Sequence, residues 1–152
     1  PWDDQLKNIR SQVEPHQAGF FKMKGENKKY MEIKKSNNKW RHEGQTFLIT
    51  DASNSSATFY LARVMKLGKV ATLVGQTTGG TQKGINGGAM FFLRLPNSGI
   101  EMDIPLIGNF PYKEAPDLGI VPDVVVEKTL EDVMEGRDPE IETVKSIISG
   151  HK

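Results

Sequence analysis

One stretch, residues 46–88, constrains this chain more than any other. An apolar run, Phe47-Leu48-Ile49-Thr50, meets a polar turn, Asp51-Ala52-Ser53-Asn54-Ser55. Ser56-Ala57 then opens a helical pattern whose apolar members are Phe59, Leu61, Ala62, Met65 and Leu67. A second β-like run, Val70-Ala71-Thr72-Leu73-Val74, ends in Gly75-Gln76-Thr77-Thr78-Gly79-Gly80. Strand, turn, helix, strand and glycine loop together predict a βαβ unit. Two strands joined through a helix are parallel neighbours, so the chain is expected to be α/β. A hydroxyl where the first strand meets the helix has two readings. Ser, Asn and Asp at that place ordinarily cap the helix by accepting an orphan N–H. The same place also gives a nucleophile the benefit of the helix N-terminal amides.

Composition narrows the chemistry. At 152 residues the chain is long enough for one ordinary core. A net charge of +1 gives no general drive toward nucleic acid or membrane surfaces. The early lysines, among them Lys22, Lys24, Lys28, Lys29, Lys34 and Lys35, read as a solvated face. With no cysteine, disulfides, thiolate catalysis and cysteine-ligated zinc are excluded. His16, His42 and His151 lack metal-ligand spacing, so neither metal nor cofactor is expected. No apolar run reaches the length of a membrane span.

On either side of the central unit the pattern is plainer. Residues 3–13 predict a short helix ended near Pro15, and residues 19–40 predict two exposed strands around a turn at Gly25-Glu26-Asn27. Tyr30-Met31-Glu32-Ile33 supplies one of those strands. Residues 89–95 and 100–104 predict an antiparallel hairpin about Pro96-Asn97-Ser98-Gly99. Val124-Val125-Val126 reads as a short buried strand. Thr129 with Asp132 resembles a capping box, and Asp138-Pro139 a second helix start. Ile141, Val144, Ile147 and Ile148 form that last helix's apolar face.

These motifs, in this order, resemble the C-terminal processing peptidases, or tail-specific proteases, which are serine peptidases on the Clp–crotonase fold. That family writes a strand, a small-residue turn, Ser-Ala-x-Glu opening a helix, and a strand ending Gly-Glu-x-Thr-x-Gly. Here stand Ser56-Ala57-Thr58-Phe59 and Gly75-Gln76-Thr77-Thr78-Gly79. Leu95-Pro96-Asn97-Ser98-Gly99, Gly119-Ile120-Val121-Pro122-Asp123, Thr129-Leu130-Glu131-Asp132 and Asp138-Pro139-Glu140-Ile141 match later family motifs. The resemblance covers residues 44–149. It implies a Clp–crotonase-like ββα core with parallel strands, an antiparallel hairpin and flanking helices. It divides the chain into residues 1–43, of undefined role, and 44–152, the C-terminal part of a peptidase domain.

By the same resemblance Ser56 is the nucleophile and the Ala57 amide one oxyanion donor. Two bases are open. Many members use a lysine at the place Thr81 holds here, with Lys83 two positions later. Another branch, including the tricorn protease, uses a histidine from an earlier segment, which would lie upstream of Pro1, and draws a late acid from the loop that holds Glu114. The second oxyanion amide and the PDZ module of the family have no counterpart here, so the fragment is expected to be inactive alone. The implied partner is a peptide or protein substrate, and strand edges left exposed would allow a homodimer. A cell envelope or periplasmic location follows from the family's habit alone. The alternatives are a non-catalytic peptide-binding or scaffold domain that lost its base, and an acyl-CoA enzyme on the shared fold.

Overall fold

The computed structural model describes residues 2–24, 42–111 and 113–150. Its contacts divide the chain into two units, Pro1–Trp40 and Arg41–Lys152. The first unit carries helix α1 (Trp2–Gln12) and two three-residue strands, β1 (Val13–Pro15) and β2 (Phe21–Met23), paired antiparallel. Lys22 pairs with Glu14 at 3.0 Å across that ladder, and Lys24 Nζ donates to Ser11 O at 2.9 Å. The expected helix is present, and β2 is one exposed strand. Its partner is β1, which takes Val13 from the end of the expected helix. The proposed Gly25-Glu26-Asn27 turn and the strand over residues 30–33 lie outside the described residues.

The second unit is a mixed α/β structure. Strands β3 (Phe47–Thr50), β4 (Thr72–Gly75) and β7 (Val124–Val125) form a parallel sheet in the order β3-β4-β7. Helix α2 (Ser56–Leu67) connects the first two, as the βαβ pattern predicts. Its apolar stripe faces the sheet: Phe59 and Ala62 are buried and join Leu73 of β4 and Ile120 in the core. Leu48, Tyr60, Met65, Ala71 and Ile85 pack around them. Fully burying a ring such as Phe59 contributes about 1.5–3 kcal/mol. The expectation for residues 124–126 needs correction: the strand is two residues long and Val125 is exposed.

Strands β5 (Ile85–Arg94) and β6 (Glu101–Asn109) form a long antiparallel hairpin. It begins four residues earlier than the pattern suggested, because Gly87-Gly88 is absorbed as an irregularity in the ladder between Gly87 and Met90. Helix α3 (Leu130–Glu135) starts in a full capping box between Thr129 and Asp132. The Thr129 hydroxyl and amide, with the Arg137 guanidinium, draw the Asp132 carboxyl down to about 2. Helix α4 (Pro139–Ile148) starts on Asp138, whose side chain accepts the Ile141 N–H. Its apolar face is only partly covered, since Ile148 is exposed, while Glu140 is buried beside Lys128 at 3.6 Å.

Asp123 ties these pieces together. Its Oδ2 accepts the N–H of Leu73, a residue with no exposed surface, and its Oδ1 pairs with Lys66 of α2 at 3.0 Å. The Leu73 amide bond holds its carboxyl below the ordinary range, with Lys66 adding to the effect against partial burial. Asp123→Ala is expected to cost about 1–3 kcal/mol in urea unfolding, because the Leu73 amide loses its acceptor inside the sheet. Asp123→Asn retains an acceptor oxygen and should cost clearly less. Equal losses for the two variants would contradict that assignment.

Candidate active site

The turn between β3 and α2 is built by its own polar side chains. Asp51 Oδ1 accepts from Ser53 N at 2.8 Å and from Ser53 Oγ at 2.5 Å. Asn54 Oδ1 accepts the Asp51 N–H at 2.7 Å. The Ser53 hydroxyl bond, more than any other contact, draws the Asp51 carboxyl below its usual range. Ser53 therefore shapes the turn. Ser55 has extended backbone and occupies the N-cap position, yet its side chain caps nothing. Its carbonyl takes the load instead, accepting Thr58 N–H and Thr58 Oγ1.

Ser56 follows with φ of 53°, in the left-handed region. A non-glycine residue there costs about 1–3 kcal/mol, and such residues concentrate at functional sites. Its side chain is exposed and has no hydrogen-bond partner among the described residues. The capping alternative thus has neither serine performing it. Ala57 is next, in the helix's first turn, where N–H groups have no partner within the helix.

Ser56 opens onto a cleft of about 390 Å³. Ser55 and Ser56 form one side, and Gly80, Thr81 and Gly84 of the loop after β4 form another. Ile85 and Asn86 at the start of β5, with Phe110 just past β6, complete it. That size is at the lower end of the range of small-ligand pockets. The glycine loop is laced to the segment before β7. Thr78, itself buried, donates its N–H to Ile120 O at 3.1 Å and accepts the Ile120 N–H on Oγ1 at 2.8 Å. Gln82 N–H reaches Leu118 O at 3.0 Å.

The remaining candidates fall elsewhere. Lys83 does not line the cleft; it is exposed and pairs with Asp117 at 3.3 Å. A general base must lie within hydrogen-bond reach of the proton it takes, and the Lys83 amine is engaged by Asp117 on the exposed surface instead. Thr81, at the family's lysine place, donates its hydroxyl to Asp117 Oδ1 at 2.8 Å. That bond is the main reason the Asp117 carboxyl is held low, ahead of the Lys83 ammonium. Glu114 is exposed, lines no part of the cleft and makes no ion pair among the described residues. Phe59, where the family motif has glutamate, is 2% exposed at the centre of the core.

Sequence reasoning missed Asn86, Ile85 and Phe110 as cleft residues. Nothing in their own spacing marks them; the hairpin register, pairing Ile85 with Asn109, brings them to one end of β5–β6.

No curated protein matches this sequence. Among solved structures, a crystal structure of a candidate peptidase from Parabacteroides merdae ATCC 43184 is similar at 30% identity, with a TM-score of 0.46. The similarity covers 70% of this chain and 32% of that one, so this chain spans about a third of its length. The family model described as peptidase family S41 matches residues 3–126. That match takes in the βαβ unit, the hairpin and the loop leading to β7, and the chain belongs to peptidase family S41.

Proposed function

We propose that this chain supplies the nucleophile and one oxyanion amide of a serine peptidase of the C-terminal processing type, on a Clp–crotonase-like core. The observation that carries this reading is Ser56 itself. A hydroxyl with no hydrogen-bond partner among the described residues, on strained backbone at a helix start, lines a cleft of about 390 Å³. Ser56 Oγ attacks the carbonyl carbon of a peptide while its proton passes to a base. The Ala57 N–H donates to the oxyanion; one such donor is typically worth about 3 kcal/mol. Collapse of the intermediate breaks the C–N bond, the amine leaves carrying the proton, and water releases the acyl group.

None of the eight residues lining the cleft can act as that base. We place the base outside this lining, as in the histidine-dependent branch, and on that reading the 152-residue chain alone cleaves peptides at no appreciable rate. A non-catalytic peptide-binding domain is the second reading, favoured by Lys83 being engaged with Asp117 and by Phe59 in place of glutamate. Treating the full-length protein and this chain with a fluorophosphonate probe separates the cases. Labelling of Ser56 in the full-length protein alone is the expected result. No labelling in either supports the binding domain, and efficient Ser56-dependent cleavage by the short chain overturns the incomplete-cleft reading.

A further inference from the structure

Phe110 is 76% exposed, an unusual place for a phenyl ring that also forms part of a cleft. The ring nevertheless lies close against two glycines. A Cβ on Gly84 would stand 2.6 Å from its Cδ1, and a Cβ on Gly108 2.8 Å from its Cε2. A methyl at either place would meet the ring and push it aside, so in this position the ring lies against bare backbone. Those two glycines are on opposite arms of the hairpin, Gly108 within β6 and Gly84 just before β5. Neither the core cluster nor its surrounding shell includes Phe110. A ring seated on a glycine floor, outside the core and beside Ser56, is arranged to contact something that enters the cleft.

The rest of the lining states what chemistry that is. Ile85 adds a second apolar surface, and the polar members Ser55, Thr81 and Asn86 are all uncharged. A charged side chain entering there would lose water without gaining an ion partner. We propose that Phe110 is a specificity-determining residue. Its ring packs on an aliphatic side chain of the peptide next to the scissile bond and limits the size of that side chain. This rests on the reading of Ser56 as nucleophile, and it names the substrate feature that this site selects.

The test reads binding without turnover. The full-length protein carrying Ser56→Ala is titrated calorimetrically with acetylated, amidated hexa-alanine peptides whose third residue is Leu, Phe, Lys or Asp. The leucine peptide is expected to bind about tenfold or more tightly than the lysine and aspartate peptides, the scale of one apolar contact in a pocket. Adding Phe110→Ala should remove most of that advantage and improve the phenylalanine peptide relative to leucine, with the melting temperature unchanged. Gly84→Ala, which pushes the ring off its floor, should reproduce the loss. Combined with Phe110→Ala it should add little further. No discrimination before Phe110 is changed, or an undiminished leucine preference after, overturns the proposal. Fluorophosphonate labelling of the protein with Ser56 intact tests the nucleophile separately. A peptide preference that moves with Phe110, in a protein that never labels, would retain the specificity residue and remove the peptidase reading.

Discussion

Gly119→Ala is expected to be among the most damaging single substitutions in this protein, lowering stability by about 3 kcal/mol or more. A Cβ at this position would stand 2.0 Å from the Thr78 carbonyl oxygen and 3.0 Å from Thr78 Oγ1. The obstacle is backbone, which no rotamer change can move. Two segments would have to part, and their parting breaks the paired hydrogen bonds between Thr78 and Ile120, both buried. Since a domain's whole stability is about 5–15 kcal/mol, a loss of this size brings it close to unfolding. The same separation would release the loop that carries Gly80, Thr81 and Gly84 into the cleft. Gly136→Ala is the control. Gly136 ends helix α3 with φ of 67°, but nothing lies within 4 Å of its missing Cβ. Backbone strain alone, about 1–2 kcal/mol, is its expected cost. Urea unfolding with an unchanged slope measures both. A Gly119→Ala protein within about 0.5 kcal/mol of the original would show that the contact relaxes at little cost.

The second large effect concerns Ser56, where activity and stability should move in opposite directions. In the full-length protein Ser56→Gly and Ser56→Ala should both abolish fluorophosphonate labelling, with turnover falling on the order of 10⁶-fold. Alanine keeps the strain of φ 53°, because the penalty comes from the Cβ and the backbone. Glycine removes it, and its protein should be about 1 kcal/mol more stable than the alanine variant. Parallel denaturation of the three proteins reads that difference. Alanine proving as stable as glycine would mean that the left-handed geometry is no burden, and would remove the main physical argument for a functional role.

That strain illustrates where sequence reading stops. The βαβ unit was legible because its periods differ: Phe47 to Thr50 is short and apolar, while Phe59 and Ala62 recur at helical spacing. Asp138-Pro139 marked a helix start through capping chemistry that is local in sequence, and it holds in the structure. The β1–β2 ladder was invisible because three residues, one of them Pro15, carry no period at all. Gly87 and Gly88 precede the predicted strand, yet they lie within β5: Gly87 pairs with Ile107, and Gly88 falls in the irregularity before Met90. The site divides in the same way. Ser56 at the helix start could be named from its neighbours, whereas its φ angle and the arrival of Phe110 from 54 positions away depend on tertiary pairing.

Phe59 has a consequence for how this protein can change over generations. The related motif has a glutamate at this place, and here the ring is enclosed by Ala62, Leu73 and Ile120. A glutamate here would bury an unpaired carboxylate and leave part of the ring's volume empty, two penalties that add. The core around α2 therefore holds this position apolar. Thr81 and Asn86 line the cleft outside that core cluster, where a change of side chain leaves the packing of Phe59 undisturbed.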